Sequence, residues 1–273
     1  MNKIIPGVWS SYFYDMTPEE MVRAFLSAGW HFSEISNEHS AVVMERGKPF
    51  EEGEKFRKYA SDLGMSFPQG HLWLTCDIAA IPQEPVIEKL KEWLDLFAGF
   101  GVKRAVLHPG GKQMQDEGKS TGEILEANAA ALRQLCGHIK GTDMTICLEN
   151  LFTRYTTCED LLGLIEAAGT AQLGICLDTG HLNIAGGSQS EFIKKAGKYL
   201  KALHIADNEG KSDQHMMPYG KGKVDWADVT GAIKEIGYEG LFNFEIPGER
   251  HCPLPVMMAK LDFLKAMSAH MLA

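Results

Sequence analysis

Six successive apolar runs in this chain end in, or run straight into, a histidine or a carboxylate. They give His71 after Gly70, His108 in Leu107-His108-Pro109-Gly110 and Glu149 in Leu148-Glu149-Asn150. Asp178 follows in Leu177-Asp178-Thr179-Gly180-His181, then His204 in Leu203-His204-Ile205 and Glu245 in Phe244-Glu245-Ile246-Pro247. These residue types ligate divalent cations, and the carboxylates among them can also take and give protons. Charged carboxylates at the ends of buried segments would be costly without a cation to offset them. Taken singly, each has a plain structural reading: His108 could start a turn, Glu149-Asn150 could be an exposed pair, and Asp178 could cap a helix that carries His181. The shared register argues against that reading for the set, because scattered caps have no reason to occupy the same end of six consecutive segments.

The segments that must position these residues are strand-like. The runs Ile4–Ser10, His31–Ser36, Ser66–Leu72 and Lys103–His108 are followed by Met144–Glu149, Leu173–Asp178, Leu200–Ile205 and Leu241–Ile246. Most are aliphatic or aromatic and bounded by Gly, Pro, Asn or Asp, as buried parallel strands are. Helical segments lie between them. Thr17-Pro18-Glu19-Glu20 reads as an N-cap, a proline at the first helical position and an acidic first turn, and Gly29 closes that helix. Further helices are expected over Glu51–Leu63, Glu84–Ala98, Thr121–Ile139 and from Thr157 to Gly169, then over Gln189–Tyr199, Trp226–Ile236 and Pro255–Met271. Eight strand–helix alternations, with no linker or compositional break, predict an α/β fold: a single (β/α)₈ TIM barrel spanning residues 1–273. A doubly wound sheet is the alternative, though such sheets more often stop at five or six strands. In a barrel, chemistry sits at the C-terminal strand ends, where the residues above fall.

Composition narrows the function classes. The chain has 273 residues, 36 acidic and 27 basic, for a formal charge of −9, with 45% hydrophobic and 23% charged residues. Those proportions suit a globular protein rather than a disordered one. The most apolar stretch, Leu94 to Val106, is interrupted by Asp95, Gly99, Gly101 and Lys103, short of the roughly 20 residues that span a bilayer. No membrane partner is expected. The acidic balance argues against nucleic acid, whose phosphates favour a basic face. The N-terminus lacks the apolar core of a signal peptide, and the six cysteines are dispersed without C-x-x-C spacing. A reducing, cytoplasmic setting without disulfides or a cysteine–zinc site is therefore expected.

The segment after the seventh run, Asp207-Asn208-Glu209-Gly210-Lys211-Ser212-Asp213-Gln214-His215, places Asp213 and His215 one residue apart, so both could face inward from an extended stretch. It continues through Gly220-Lys221-Gly222, whose spacing does not fit a Walker-type phosphate cradle. With Leu148-Glu149-Asn150, Leu177-Asp178-Thr179-Gly180-His181, Leu203-His204-Ile205-Ala206-Asp207-Asn208 and Phe244-Glu245, these motifs make the chain resemble the xylose isomerase-like barrel superfamily over nearly its whole length. That superfamily holds sugar and sugar-phosphate isomerases and epimerases, inosose dehydratases and endonuclease IV.

The resemblance implies a metal-binding quartet of Glu149, Asp178, His204 and Glu245. In the isomerase and epimerase branch the two glutamates, here Glu149 and Glu245, move a proton on and off the carbon beside a carbonyl, and a residue matching His181 contacts a substrate oxygen. His71 and His108 are further candidates for substrate contact. Glu34 is either a substrate contact or a structural carboxylate at a barrel end. The mixed His and carboxylate set suits zinc or manganese, with cobalt or magnesium as alternatives. The partner implied is a small sugar or sugar phosphate, and a homo-oligomer is compatible with a barrel of this size.

The alternative is a multinuclear zinc phosphoesterase of the endonuclease IV type. All nine positions matching its three-zinc site carry suitable residues here: His71, His108, Glu149, Asp178, His181, His204, Asp213, His215 and Glu245. Only His71 and His108 point specifically to the hydrolase. The segments Asn37–Gly53 and Leu72–Gln83, expected as loops, look like walls of a small pocket rather than DNA-entering loops. A non-catalytic sugar-binding barrel is a third reading. Trp9, Trp73 and Phe244 are candidate pocket walls, and Arg154, Lys211, Lys221 and Arg250 candidate phosphate contacts.

Overall fold

A computed structural model describes residues 4–249 and 251–273. Alternating side chains explain the architecture. In strands β1 (Ile4–Trp9), β2 (Phe32–Ile35), β3 (Ser66–His71), β4 (Arg104–Leu107), β5 (Thr145–Glu149), β6 (Leu173–Asp178), β7 (Leu200–Ile205) and β8 (Gly240–Phe244), successive residues point to opposite faces. Leu107, Leu148, Leu177, Leu203 and Phe244 lie on the outer face within the main hydrophobic core. Val106, Cys147, Cys176 and Ala202 form a separate small cluster, placed by the alternation inside the barrel. The strands are all parallel and follow one another around a closed ring, β1 pairing with β8 through the registers Ile4↔Gly240 to Val8↔Phe244. This is the expected (β/α)₈ barrel. Registers such as Glu149↔Cys176 and Asp178↔His204 stagger β5 against β6 by two residues and leave the ends of β5, β6 and β7 at the same mouth.

Helices surround the ring where the end signals place them. Helix α1 (Pro18–Ser27) begins with a full capping box between Thr17 and Glu20. Two departures from the expected pattern concern the site. The stretch expected as a loop over Asn37–Gly53 instead holds α2 (Asn37–Met44), capped by Ser36, and the start of α3 (Pro49–Leu63). Short helices also follow two strand ends: α5 (Lys112–Asp116), after which come α6 (Thr121–His138) and α7 (Cys158–Ala168), and α8 (Thr179–Ala185), directly after β6. Between α3 and α4 (Glu84–Phe100), Gly53 and Gly99 let the backbones touch: a Cβ on Gly53 would lie 2.5 Å from the Leu96 carbonyl. The remaining α9 (Gln189–Ala196), α10 (Trp226–Glu235) and α11 (Leu254–Met271) complete the ring. Among the described residues, no helix is long and apolar enough to cross a membrane.

Candidate metal centre at the barrel mouth

The ends of β5 to β8 are tied to one another before any side chain faces the mouth. Asn150, just beyond β5, donates to the Asp178 carbonyl at 3.1 Å and accepts from the Asp178 amide at 2.8 Å. Thr179 Oγ1 donates to the Ala206 carbonyl at 2.8 Å and accepts from the Ala206 amide at 3.0 Å. The Glu245 amide donates to the Ile205 carbonyl at 3.1 Å. The plain reading of Asp178 holds, since its Oδ1 caps α8 by accepting from the His181 amide at 2.6 Å, and its Oδ2 is left without a partner.

Four side chains from four consecutive strand ends then converge. Glu149, Asp178, His204 and Glu245 each present one ligand atom, and these atoms lie within 4.8 Å of one another. His204 Nδ1 is 3.2 Å from Glu149 Oε2 and 3.2 Å from Glu245 Oε2. All four residues are buried, and Glu149 Oε2, Asp178 Oδ2, His204 Nδ1 and Glu245 Oε2 have no hydrogen-bond partner among the described residues. Buried polar atoms are nearly always paired, so four orphans at one point form a set of donors suited to a divalent cation.

A second group adjoins the first through Glu149. His71 donates from Nδ1 to the Leu72 carbonyl at 2.8 Å, which turns Nε2 inward to 3.4 Å from Glu149 Oε2. His108 Nε2 lies 3.4 Å from the same oxygen, and the three ligand atoms fall within 4.8 Å. On the other side, Asp213 Oδ2 lies 3.3 Å from His181 Nε2 and 3.0 Å from His215 Nε2. The backbone of that segment pairs back on itself between Asp207 and Met216, and the Asp207 carboxylate accepts from Val224 N and Trp226 Nε1. Gly222 passes so close to that carboxylate that any side chain there would collide with it.

Electrostatics separate the two glutamates. Burial would raise Glu149, but the imidazoles of His204 and His108 beside it, with His181, hold it well below the usual carboxylate range. Burial also raises Glu245; His204 and His215 offset this only in part, while Glu149 and Asp178 add to it, so Glu245 stays above its ordinary value. Burial opposes the charged form of His181, yet Asp178, Asp213 and Glu149 lift it to about 12.

Several expected contacts take other places. Glu34 is fully buried, with His204 Nε2 at 3.0 and 3.1 Å from its two oxygens, so it supports the histidine rather than facing a ligand in the mouth. Phe244 points outward and packs edge-on against Trp30, which removes it from the pocket walls. Arg154 donates to the Gly110 carbonyl at 2.9 Å and braces the loop after β4. Lys211 and Lys221 are exposed, Arg250 lies outside the described residues, and the Trp73 indole donates to Thr75. Trp9 does reach the mouth, its ring stacked 6.4 Å from His215. The sequence reading missed Phe152, which is 41% exposed with its ring 5.2 Å from His181. Its position two residues beyond Asn150 was the available signal.

A closed parallel eight-stranded barrel with a buried His–carboxylate cluster at its C-terminal mouth defines the class of protein. The chain belongs to the xylose isomerase-like TIM barrel family, whose model matches residues 22–267. It is 26% identical over 201 residues to an uncharacterised protein of Sinorhizobium fredii, covering 71% of this chain and 60% of that protein. To a D-psicose 3-epimerase of Enterocloster bolteae it is 31% identical over 113 residues, 40% of this chain and 36% of that enzyme. The matched segments therefore span less than two thirds of either relative. A solved D-psicose 3-epimerase, crystallised in the presence of D-fructose, superimposes with a TM-score of 0.81 over 99% of both chains at 16% identity.

Proposed function

We propose that this protein is a divalent-metal-dependent sugar epimerase or isomerase acting on a small ketose or ketose phosphate. The observation that carries the reading is the convergence of four unpartnered, buried donors from β5 to β8. Glu149, Asp178, His204 and Glu245 would hold the cation, with manganese or zinc the best matches to this donor set. Bound there, it would polarise a substrate carbonyl and hydroxyl and offset negative charge as a neighbouring carbon loses its proton.

The chain's own residues supply the proton transfers. Glu149, held towards its ionised form, is suited to take the proton from the carbon beside the carbonyl. Glu245, on the other side of the mouth and in a different electrostatic environment, is placed to return one. Divergent environments for paired carboxylates are the pattern expected of an acid and a base. His181, kept protonated and aimed by its Nδ1 hydrogen bond to the Asn150 carbonyl, is placed to donate to a substrate oxygen. His71 and His108 line the β3–β4 side for further hydroxyl contacts, and Trp9 and Phe152 offer apolar faces to a sugar ring. Named epimerases among the relatives favour this substrate class.

The test is turnover of ketohexoses by the Mn²⁺-loaded protein in D₂O. Deuterium should enter at one carbon as the epimer forms. Glu149→Gln should lower kcat by about 10²–10⁴-fold, the range for losing a general base. Metal loading with no exchange at any sugar carbon would overturn the reading.

A second reading has a specific observation behind it: the buried Nε2 of His71 has no hydrogen-bond partner and, with His108, faces the free oxygen of Glu149. If His71, His108, His181, Asp213 and His215 also bind metal, the site is multinuclear and suits phosphodiester hydrolysis. The net charge of −9 weighs against a nucleic-acid substrate.

A further inference from the structure

Glu34 is a carboxylate at the mouth end of β2 that neither faces the mouth nor belongs to the donor quartet. It sits on β2, fully buried, and three side chains from three other strands are turned towards it: His204 of β7, Gln69 of β3 and Asn243 of β8. Asn243 Nδ2 donates at 3.0 Å, and Gln69 Nε2 donates to the same oxygen. Both amides forgo a partner for their own oxygens to do so, since Gln69 Oε1 and Asn243 Oδ1 are buried without one. Leaving two amide oxygens unsatisfied is costly, so the arrangement is organised around Glu34 as an acceptor.

The consequence falls on His204. With Nε2 directed at both oxygens of an acceptor-only group, that nitrogen must carry the hydrogen. Nδ1 then presents its lone pair to the point where Glu149 Oε2 and Glu245 Oε2 also aim. Rotation of the ring about its axis is blocked by the same contacts.

We propose that Glu34 is the positioning residue of the centre: it fixes the tautomer and orientation of His204 and strengthens Nδ1 as a metal donor. This rests on the metal-dependent reading above. A carboxylate behind a metal-binding histidine raises the ring's basicity, and its loss typically costs about 10–100-fold in metal affinity. Glu34 touches no substrate in this scheme, and its effect travels only through the ring.

The full-length protein, its Glu34→Gln variant and its Glu34→Asp variant are titrated with Mn²⁺ by calorimetry, and visible spectra are taken of the Co²⁺-loaded forms. Expected for Glu34→Gln is a Mn²⁺ affinity at least 10-fold below wild type and an altered Co²⁺ spectrum, with far-UV circular dichroism unchanged. Mn²⁺ affinity within 3-fold of wild type and an identical Co²⁺ spectrum would overturn the proposal. If Glu34→Gln fails to fold, Glu34→Asp decides it by the same two readouts, because it keeps the charge but shortens the reach by one methylene. Failure of the wild type itself to bind Mn²⁺ or Co²⁺ would instead sink the metal-dependent reading, which keeps the two failures apart.

Discussion

The two halves of the barrel mouth solve opposite problems. From β5 to β8, each strand end sends a buried donor atom towards one point, and those atoms are left without partners. From β1 to β4, the central carboxylate and its neighbours find protein partners: Glu34 is surrounded by donors, and Ser10 Oγ and Ser36 Oγ lie at 2.9 and 3.3 Å from His39 Nδ1. One half gathers its unpartnered carboxylate and imidazole atoms at a single point, whereas in the other the orphans, such as Trp9 Nε1 and Gln69 Oε1, are scattered around hydrogen-bonded groups. Sites for chemistry are often locally unfavourable in this way and supported by surroundings that are not.

Replacing Asp178 by Asn tests the β5–β8 half and should give the largest effect. The amide can still cap α8, so the helix start survives, but one buried charge is gone. Mn²⁺ affinity should fall by roughly 100-fold, while the metal-free variant should melt at or above metal-free wild type, because the buried charge removed is offset only in part, by His181. Calorimetry with and without Mn²⁺ reads both, and a lower melting temperature for the metal-free variant would contradict the contrast between the halves.

His108 stands at the border, on the loop after β4 but facing Glu149. In the sugar-epimerase reading, wild type binds one Mn²⁺ per chain; His108→Asn keeps that stoichiometry and raises KM about 10-fold, as loss of a polar substrate contact would. Elemental analysis finding two or three metals per wild-type chain, reduced in the variant, would move the border and favour the multinuclear reading.

The smallest effect belongs to the β1–β4 half. Burial holds His39 below its ordinary pKa, opposed only in part by the Met16 carbonyl, the Glu38 charge and the Phe13 backbone. Its folded value is thus lower than its unfolded one, so the stability it contributes is complete above about pH 6.5 and is lost as pH falls through the folded value. One such proton is worth at most about 1.4 kcal/mol per pH unit. His39→Gln should make the decline in unfolding free energy between pH 7 and pH 5 shallower, as urea titrations at the two pH values would show; an unchanged slope would mean that the buried imidazole is not a source of acid sensitivity.

How far the sequence revealed this arrangement also divides by region. The strands of the barrel and the residues at their ends were legible because burial on both faces writes itself as compact apolar runs, and because Gly64, at φ of 95°, closes α3 where its glycine signal predicted; α4 instead runs through Gly99, its expected end, and stops at Gly101. Helix α2 was not, because Asn37-Glu38-His39-Ser40-Ala41-Val42-Val43-Met44 lacks a strong apolar stripe, and only the Ser36 cap announced it. The convergence of Glu149, Asp178, His204 and Glu245 followed from register, but the work of Glu34 did not. Its partner His204 is 170 positions away, and only the closed ring brings β2 beneath β7. Phe244 misled for the mirror reason: it neighbours Glu245, and adjacent strand residues face opposite ways.

Closure of the ring has a consequence in time. The quartet begins at Glu149 on β5 and is completed only by Glu245 beyond β8, the strand that pairs with β1 from Ile4↔Gly240 to Val8↔Phe244. A chain lacking its last strand has three of the four donors and an open seam. Contacts so distant in sequence form late, after most of the loop-closure entropy has been met. Under the metal-dependent reading proposed above, high-affinity cation uptake would follow folding: the ion would fasten β5 to β8 to one another only once all four strand ends are in place.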